Sequence, residues 1–272
     1  MLITISMMTQ DPTLKYIFRF FYNNNKMDYK YIEKGEGEVV ILLHGLMGAV
    51  SNFESTIKTL PKAGYRVILP MLPLYDLPLL KTNVNELVSF INKFTKDLNI
   101  KKFSVLGNSL GGHVALILAL KYPKKVKHLI LSGSSGLYEN TLGGKFPKRG
   151  DYNYIKEKTE EVFFDPKKAT KTLIDEVFEI VNSREKVLRV LMMAKSAIRH
   201  NMKEDLPNIT QKTCVIWGKN DKVTPPEVGE EFNQEIPNSE LFWIDQCGHA
   251  PMIEKPKKFN KILIDWLNRQ KK

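Results

Sequence analysis

Between an apolar, β-branched run and a long apolar helical pattern, the chain places Gly107-Asn108-Ser109-Leu110-Gly111-Gly112. A G-x-S-x-G segment in that setting demands a strand, a tight turn and a helix, with the serine in strained backbone angles. Gly107 and Gly111 carry no Cβ, so the turn passes close to the neighbouring strand and helix. The serine hydroxyl is then presented at the strand tip, beside the first turn of the helix.

The rest of the chain alternates around that turn. Lys15 to Tyr22 and Met27 to Ile32 are aromatic-rich runs separated by Asn23-Asn24-Asn25-Lys26, the pattern of a β-hairpin. Val39 to Leu43 is a continuous apolar strand, of the kind buried on both faces, and it ends in His44-Gly45-Leu46-Met47-Gly48. A helix is expected over about 51–60, a strand over 65–70 and a helix over 87–98. The strand 103–106 feeds the turn, the helix 109–121 leaves it, and 126–131 is a further strand. Such alternation implies α/β architecture, a mostly parallel sheet flanked by helices.

After Ser132-Gly133-Ser134-Ser135-Gly136 the pattern breaks. Gly143-Gly144 and Pro147 suggest a loop, and helical patterns follow over 154–164, 169–181 and 183–199. Alternation resumes with a strand over 213–217, a helix from Pro225-Pro226 to about 236, a strand over 240–244 and a closing helix over 259–270. The expected organisation is a core of 1–135 and 206–272, with 136–205 as a helical cap inserted over the strand ends, where open α/β sheets place their ligands.

A serine is a poor nucleophile until a base removes its proton, and the base must itself be oriented by an acid. Asp221 and His249 both follow Ser109 in the chain and both sit just past strand ends. On a parallel sheet, three such residues share one edge. Asp245, four residues before His249, is the rival acid, but it lies on the strand that delivers the histidine and reads as a loop brace. Of the other histidines, His113 falls on the inward helix and His128 within an apolar strand. His200 lies in the insertion, and His44 is placed to shape its loop through hydrogen bonds.

These pieces resemble the α/β-hydrolase superfamily, specifically its capped members: His44 to Gly48, Gly107 to Gly112, Trp217-Gly218-Lys219-Asn220-Asp221 and Gly248-His249-Ala250-Pro251. The resemblance implies Ser109 as nucleophile, His249 as general base and then acid, and Asp221 as the group that orients the imidazole. It also implies that the backbone N–H groups of Leu46 and Leu110 form the oxyanion hole. The Gly-Asn-Ser-x-Gly-Gly form, with Asn108 before the nucleophile, is similar to the carbon–carbon bond hydrolases of aromatic ring degradation. Those carry an aromatic residue after the catalytic histidine, where this chain has Ala250. The reading favoured on these residues is therefore a carboxylesterase-like serine hydrolase. It would act through an acyl-enzyme on a small or medium, mostly apolar ester. Hydrolysis of a meta-cleavage-type diketone acid is the alternative, and a non-catalytic ligand-binding protein on the same fold is a third. Asn108, Met47, Phe163 and Met192 are the expected substrate contacts.

Composition narrows the field further. The formal charge is +11, but the lysines are scattered and no basic run is interleaved with aromatics, so no specific nucleic-acid partner is expected. No apolar run reaches the length of a membrane span, and 1–8 lacks the basic start and cleavage site of a signal peptide. Met7, Met8 and Met27 are alternative starts, so the first residues are expected to be an extension without structure. Cys214 and Cys247 read as free thiols in a reducing cytoplasm. No metal-ligand cluster or dinucleotide motif occurs, and the reaction of such a triad needs no cofactor. The expected partner is a small-molecule substrate, and the chain is compatible with a homodimer.

Overall fold

The computed structural model describes residues 7–8, 17–23, 26–48, 50–139 and 148–271. The turn of the expected hairpin at 24–25 and the loop signals Gly143-Gly144 and Pro147 lie outside them. The nine described strands form one sheet: β1 (Met7–Met8), β2 (Ile17–Asn23), β3 (Lys26–Lys34), β4 (Glu38–Leu43), β5 (Tyr65–Pro70), β6 (Phe103–Asn108), β7 (Val126–Ser132), β8 (Lys212–Gly218) and β9 (Ser239–Ile244). Their order is β1-β2-β3-β5-β4-β6-β7-β8-β9. The pairs from β1 to β3, and β3 with β5, are antiparallel; every pair from β5 through β9 is parallel. Met7 and Met8 pair with Phe18 and Ile17. These two residues are thus not part of a structureless extension, because the outer edge of β2 offers an open ladder.

The central strands alternate between two cores with the period of two that a pleated strand imposes. Ile41, Leu43, Val105, Leu129, Leu131, Val215 and Trp217 face one core. Val40, Leu42, Leu106, Ile130, Cys214 and Ile216 face the other. The first is covered by α2 (Val84–Asp97), α3 (Leu110–Lys121) and α7 (Pro226–Glu235). The second is covered by α1 (Glu54–Thr59) together with α8 (Pro251–Glu254) and α9 (Pro256–Arg269). α3 is apolar all round, and every residue from Leu110 to Ala119 is buried, as expected of a helix packed between a sheet and its neighbours.

α2 starts a turn earlier than its apolar spacing predicts, at Val84. Asn83 caps it, its side-chain oxygen accepting the Glu86 N–H at 3.1 Å, and Asn-x-x-Glu is a capping pair. Between β7 and β8 the described chain runs through α4 (Tyr152–Glu160), α5 (Lys171–Asn182) and α6 (Arg184–Arg199) with no strand among its described residues. This helical insertion touches the sheet's carboxyl edge, where the Val162 carbonyl accepts the His249 N–H at 2.9 Å. It also leans on the loop after β5, where Arg189 Nε donates to the Leu77 carbonyl at 2.9 Å. The closing helix expected over 259–270 is α9, which begins three residues earlier at Pro256, a residue that opens a helix but cannot extend one from within. Lys255 separates it from the short α8, which was not anticipated.

Candidate active site

The turn at Ser109 is as tight as its glycines require. Ser109 has φ 53° and ψ −121°, a left-side conformation that costs a non-glycine residue about 1–3 kcal/mol. A Cβ on Gly107 would sit 2.2 Å from the Gly111 carbonyl oxygen, and one on Gly111 would sit 2.1 Å from that of Leu43. No side chain fits either place, so strand, turn and helix approach to backbone contact. The strained residue is bolted on both sides. Its N–H donates to the carbonyls of Ser132 (3.2 Å) and Gly133 (3.1 Å), and its carbonyl accepts the N–H groups of Gly112, His113 and Ser135.

Asp221 and His249 meet at the tips of β8 and β9. The His249 Nδ1–H donates to Asp221 Oδ2 at 2.9 Å. Asp221 is 3% exposed, and its other acceptor positions are filled as well. Oδ1 accepts the N–H groups of Val223 (2.9 Å) and Thr224 (3.0 Å), and Oδ2 accepts the Thr224 hydroxyl (2.9 Å). Burial alone would push the His249 imidazole down. The adjacent Asp221 charge and hydrogen bond, helped by Glu139, outweigh it and hold the imidazole above the ordinary histidine value. The rival Asp245 has a side chain 63% exposed, facing Lys219 at 2.7 Å and Lys258 at 3.6 Å. It makes no contact with the imidazole among the described residues.

Ser109 and His249 are brought to the same place through Asn108 rather than by a direct bond. Among the described residues no hydrogen bond joins the Ser109 hydroxyl to the imidazole. The Asn108 side-chain NH2 donates to the Ser132 carbonyl at 2.8 Å and to the His249 carbonyl at 3.1 Å. Both partners are acceptors, so the amide orientation is fixed, and the group left over is the Asn108 oxygen. Asn108 is 3% exposed and holds the histidine loop against the elbow.

The loop after β4 lies over the serine: a Cβ on Gly45 would be 3.3 Å from that of Ser109. His44 shapes it, Nδ1–H donating to the Gly45 carbonyl at 2.9 Å and Nε2 accepting the Leu72 N–H at 3.3 Å. Those two bonds select the neutral tautomer, and burial pushes the His44 imidazole below its ordinary value, in the same direction. The Gly48 N–H closes a turn onto the Gly45 carbonyl at 3.0 Å, which leaves the Leu46 N–H outside that hydrogen bond; Leu46 and Met47 are half-buried. Leu110 is the first residue of α3, so its N–H has no acceptor inside the helix. Two amide donors near a serine at a helix N-terminus suit a developing oxyanion.

Two expected contacts remain, Phe163 and Met192. Phe163 is 4% exposed and packs with the core that contains Cys247, Ala250 and Met252. Met192 lines a cleft of about 590 Å³ with Thr82, Asn83, Ser196 and His200, whose walls include neither Ser109 nor His249. His113 is wholly buried and bonded to His200 at 3.0 Å. His128 is bonded to the Ser104 hydroxyl at 3.0 Å. Both cysteines are free and buried. Among the described residues no group of His, Cys, Asp or Glu is arranged to hold a metal ion.

Thr224 and Glu254 belong to the site and were not anticipated. Asp-x-x-Thr is a readable signal, because an Asp side chain readily accepts N–H groups two and three residues on. Glu254 shows in the sequence only as a lone acid after three apolar residues.

Residues 38–187 and 191–256 match the family described as alpha/beta hydrolase fold. The 2-hydroxy-6-oxo-6-phenylhexa-2,4-dienoate hydrolase of Comamonas testosteroni is 29% identical over 265 residues, covering 88% of this chain and 91% of that protein. A 2-hydroxy-6-oxononadienedioate/2-hydroxy-6-oxononatrienedioate hydrolase from the same species is 30% identical over 260 residues, covering 86% and 89%. Among solved structures, an alpha/beta hydrolase enzyme from the metagenome of lagoon sediments at Mar Chica, Morocco, is 42% identical. It superposes with a TM-score of 0.75 over 90% of this chain and 96% of that one.

Proposed function

The chain belongs to the alpha/beta hydrolase fold family, and within it we propose a serine hydrolase that cleaves the carbon–carbon bond beside a ketone in a 2-hydroxy-6-oxo-2,4-dienoate. Ser109 is the nucleophile, His249 its base and Asp221 the group that orients the base. The observation that carries the substrate class is the pair of relatives named for such substrates, which align over 86–88% of this chain. This departs from the ester expected on the strength of Ala250: one residue after the histidine weighs less than similarity along nearly the whole chain.

The chemistry suits the groups present. With the 2-hydroxy group as its keto tautomer, the substrate is a vinylogous 1,5-diketone. His249 Nε2 takes the Ser109 proton as the oxygen adds to the C6 carbonyl, whose charge the Leu46 and Leu110 amides receive. Collapse breaks C5–C6, where ketonisation has left C5 saturated; the electron pair delocalises through the C3=C4 enone onto the C2 oxygen to form the dienol, and the imidazolium supplies the proton. Water, activated by the same histidine, then releases the acid from Ser109. An ester would follow the same course with an alkoxide as the leaving group. The helical insertion serves as the cap over this site.

Ester hydrolysis stays as the second reading because Ala250 stands where the ring-cleavage enzymes carry an aromatic. The test is kcat/KM for 2-hydroxy-6-oxo-6-phenylhexa-2,4-dienoate, followed by loss of its dienol absorbance, beside p-nitrophenyl butyrate. The proposal expects the dienoate to be preferred by on the order of 10². A preference of that size for the ester would reverse the assignment.

A further inference from the structure

The insertion reaches the histidine loop through one buried carboxylate. Glu254, at the end of α8, is 3% exposed. Its Oε2 accepts the Gly248 N–H at 2.6 Å, the residue before His249. Its Oε1 accepts the Asp165 N–H at 2.7 Å, in the insertion. Between these two bonds the chains lie backbone to backbone. The His249 N–H donates to the Val162 carbonyl at 2.9 Å, and a Cβ on Gly248 would fall 2.5 Å from that oxygen and 2.9 Å from Phe163 Cα. Among the described residues no Lys or Arg forms an ion pair with Glu254; the two backbone amides are its N–H partners, and the buried Cys247 thiol lies within hydrogen-bonding reach of it as well. α8 fixes its backbone, the Glu254 N–H donating to the Ala250 carbonyl at 3.0 Å.

We infer that Glu254 is a positioning residue that makes the seating of residues 162–165 a condition for holding His249 against Ser109. A brace for α8 alone would need no bond to Asp165. A carboxylate suits the place because it accepts on both oxygens and donates on neither, and bonds of this charged kind are roughly twice as strong as neutral ones. Glutamine has the same shape but puts an NH2 against one of the two N–H groups, so it must release either the histidine loop or the insertion. In either case His249 loses one of the contacts that set its distance to Ser109, and a displacement of about 1 Å at such a group costs around 10² in rate.

This inference rests on the triad proposed above, and its test reads the two apart. Glu254→Gln is compared with wild type for fold by circular dichroism, for kcat and KM, and for the low-field proton resonance of the His249 Nδ1–H. The expected result is a folded protein with kcat down by about 10- to 100-fold, KM nearly unchanged, and a shifted or broadened resonance. A second pair isolates the insertion's side. Asp165→Pro removes that N–H from Glu254 together with the side-chain cap on the Lys167 N–H, at a residue whose φ of −96° lies just outside the proline range, whereas Asp165→Ala loses the same cap and keeps the N–H. Asp165→Pro is expected to reproduce the kcat loss in part, and Asp165→Ala to stay near wild type. A folded Glu254→Gln with wild-type kcat and resonance would overturn the inference. So would an Asp165→Pro indistinguishable from Asp165→Ala, which also decides the matter if Glu254→Gln does not fold. Failure of wild type to react with a fluorophosphonate at Ser109 would instead sink the hydrolase reading. The resonance comparison would still judge Glu254.

Discussion

Replacing Asp221 by asparagine should disable the site through tautomer choice more than through lost charge. Oδ1 of Asp221 accepts two backbone N–H groups, from Val223 and Thr224, which cannot turn away. The amide oxygen of the substituted side chain must therefore occupy that position, which puts its NH2 where Oδ2 now receives the His249 Nδ1–H at 2.9 Å. Facing a donor, Nδ1 becomes the acceptor and the ring proton moves to Nε2. A ring protonated there has no lone pair for the Ser109 hydroxyl. Loss of orientation of this kind lowers kcat by about 10⁴, or roughly 5 kcal/mol of transition-state stabilisation. Steady-state kcat on the dienoate or on p-nitrophenyl butyrate, with the rate of fluorophosphonate labelling, measures it directly. Asp245→Asn is the control: that side chain is exposed and paired with Lys219 and Lys258, and its loss should change kcat by less than about twofold. An Asp221→Asn enzyme retaining a tenth of wild-type kcat would refute the reasoning, as would a large loss in Asp245→Asn.

Three further outcomes follow from the same geometry. His249 must be neutral to act as base and is held above its ordinary value of 6.5, so kcat/KM should climb with pH through a midpoint above that value. The stability this pair contributes runs the other way, full below the unfolded value and lost as pH rises through the folded one; a midpoint below 6.5 would contradict the assignment. His128 is pushed down to about 4, first by burial and then by Lys127. It therefore contributes stability above the unfolded value that is lost as pH falls, by about 3 kcal/mol at most between about pH 7 and pH 4. Denaturant titrations should show a shallower slope for His128→Asn over that range, and an unchanged slope would count against the burial account. Gly111→Ala would put a methyl 2.1 Å from the Leu43 carbonyl oxygen, and with backbone on both sides the loss should exceed about 3 kcal/mol, read as a lower midpoint in chemical denaturation or as insoluble protein.

The parts of the molecule legible in the sequence were those fixed by local pattern. The strands from β4 to β9 are apolar runs, and those at the centre are buried on both faces; α5 and α6 carry clear helical spacing. Ser109, Asp221 and His249 stand at strand ends that a parallel sheet lines up. Contacts between distant segments left little trace. Asn108 was expected to face substrate; what the sequence did not show is that its side-chain NH2 is committed to the Ser132 and His249 carbonyls, partners 24 and 141 residues away, which leaves its oxygen uncommitted. Phe163 has the composition of a pocket wall, yet it seals the insertion against the Cys247 side of the core. Glu254 joins Gly248, 6 residues behind it, to a segment 89 residues away, and nothing local announces that. Substrate choice was the least legible property, since a single residue, Ala250, pointed to an ester while the relatives similar along 86–88% of the chain are named for carbon–carbon bond substrates.

The central claim is that turnover of the dienoate depends on Ser109 at this elbow. Titration of the enzyme with a fluorophosphonate, reading labelled Ser109 by peptide mass and residual dienoate hydrolysis in the same samples, tests it most directly. The account predicts that activity falls in one-to-one proportion to the fraction of Ser109 labelled and that Ser109→Ala takes up no label. Fully labelled protein that still hydrolyses the dienoate, or unlabelled protein that never does, would contradict it.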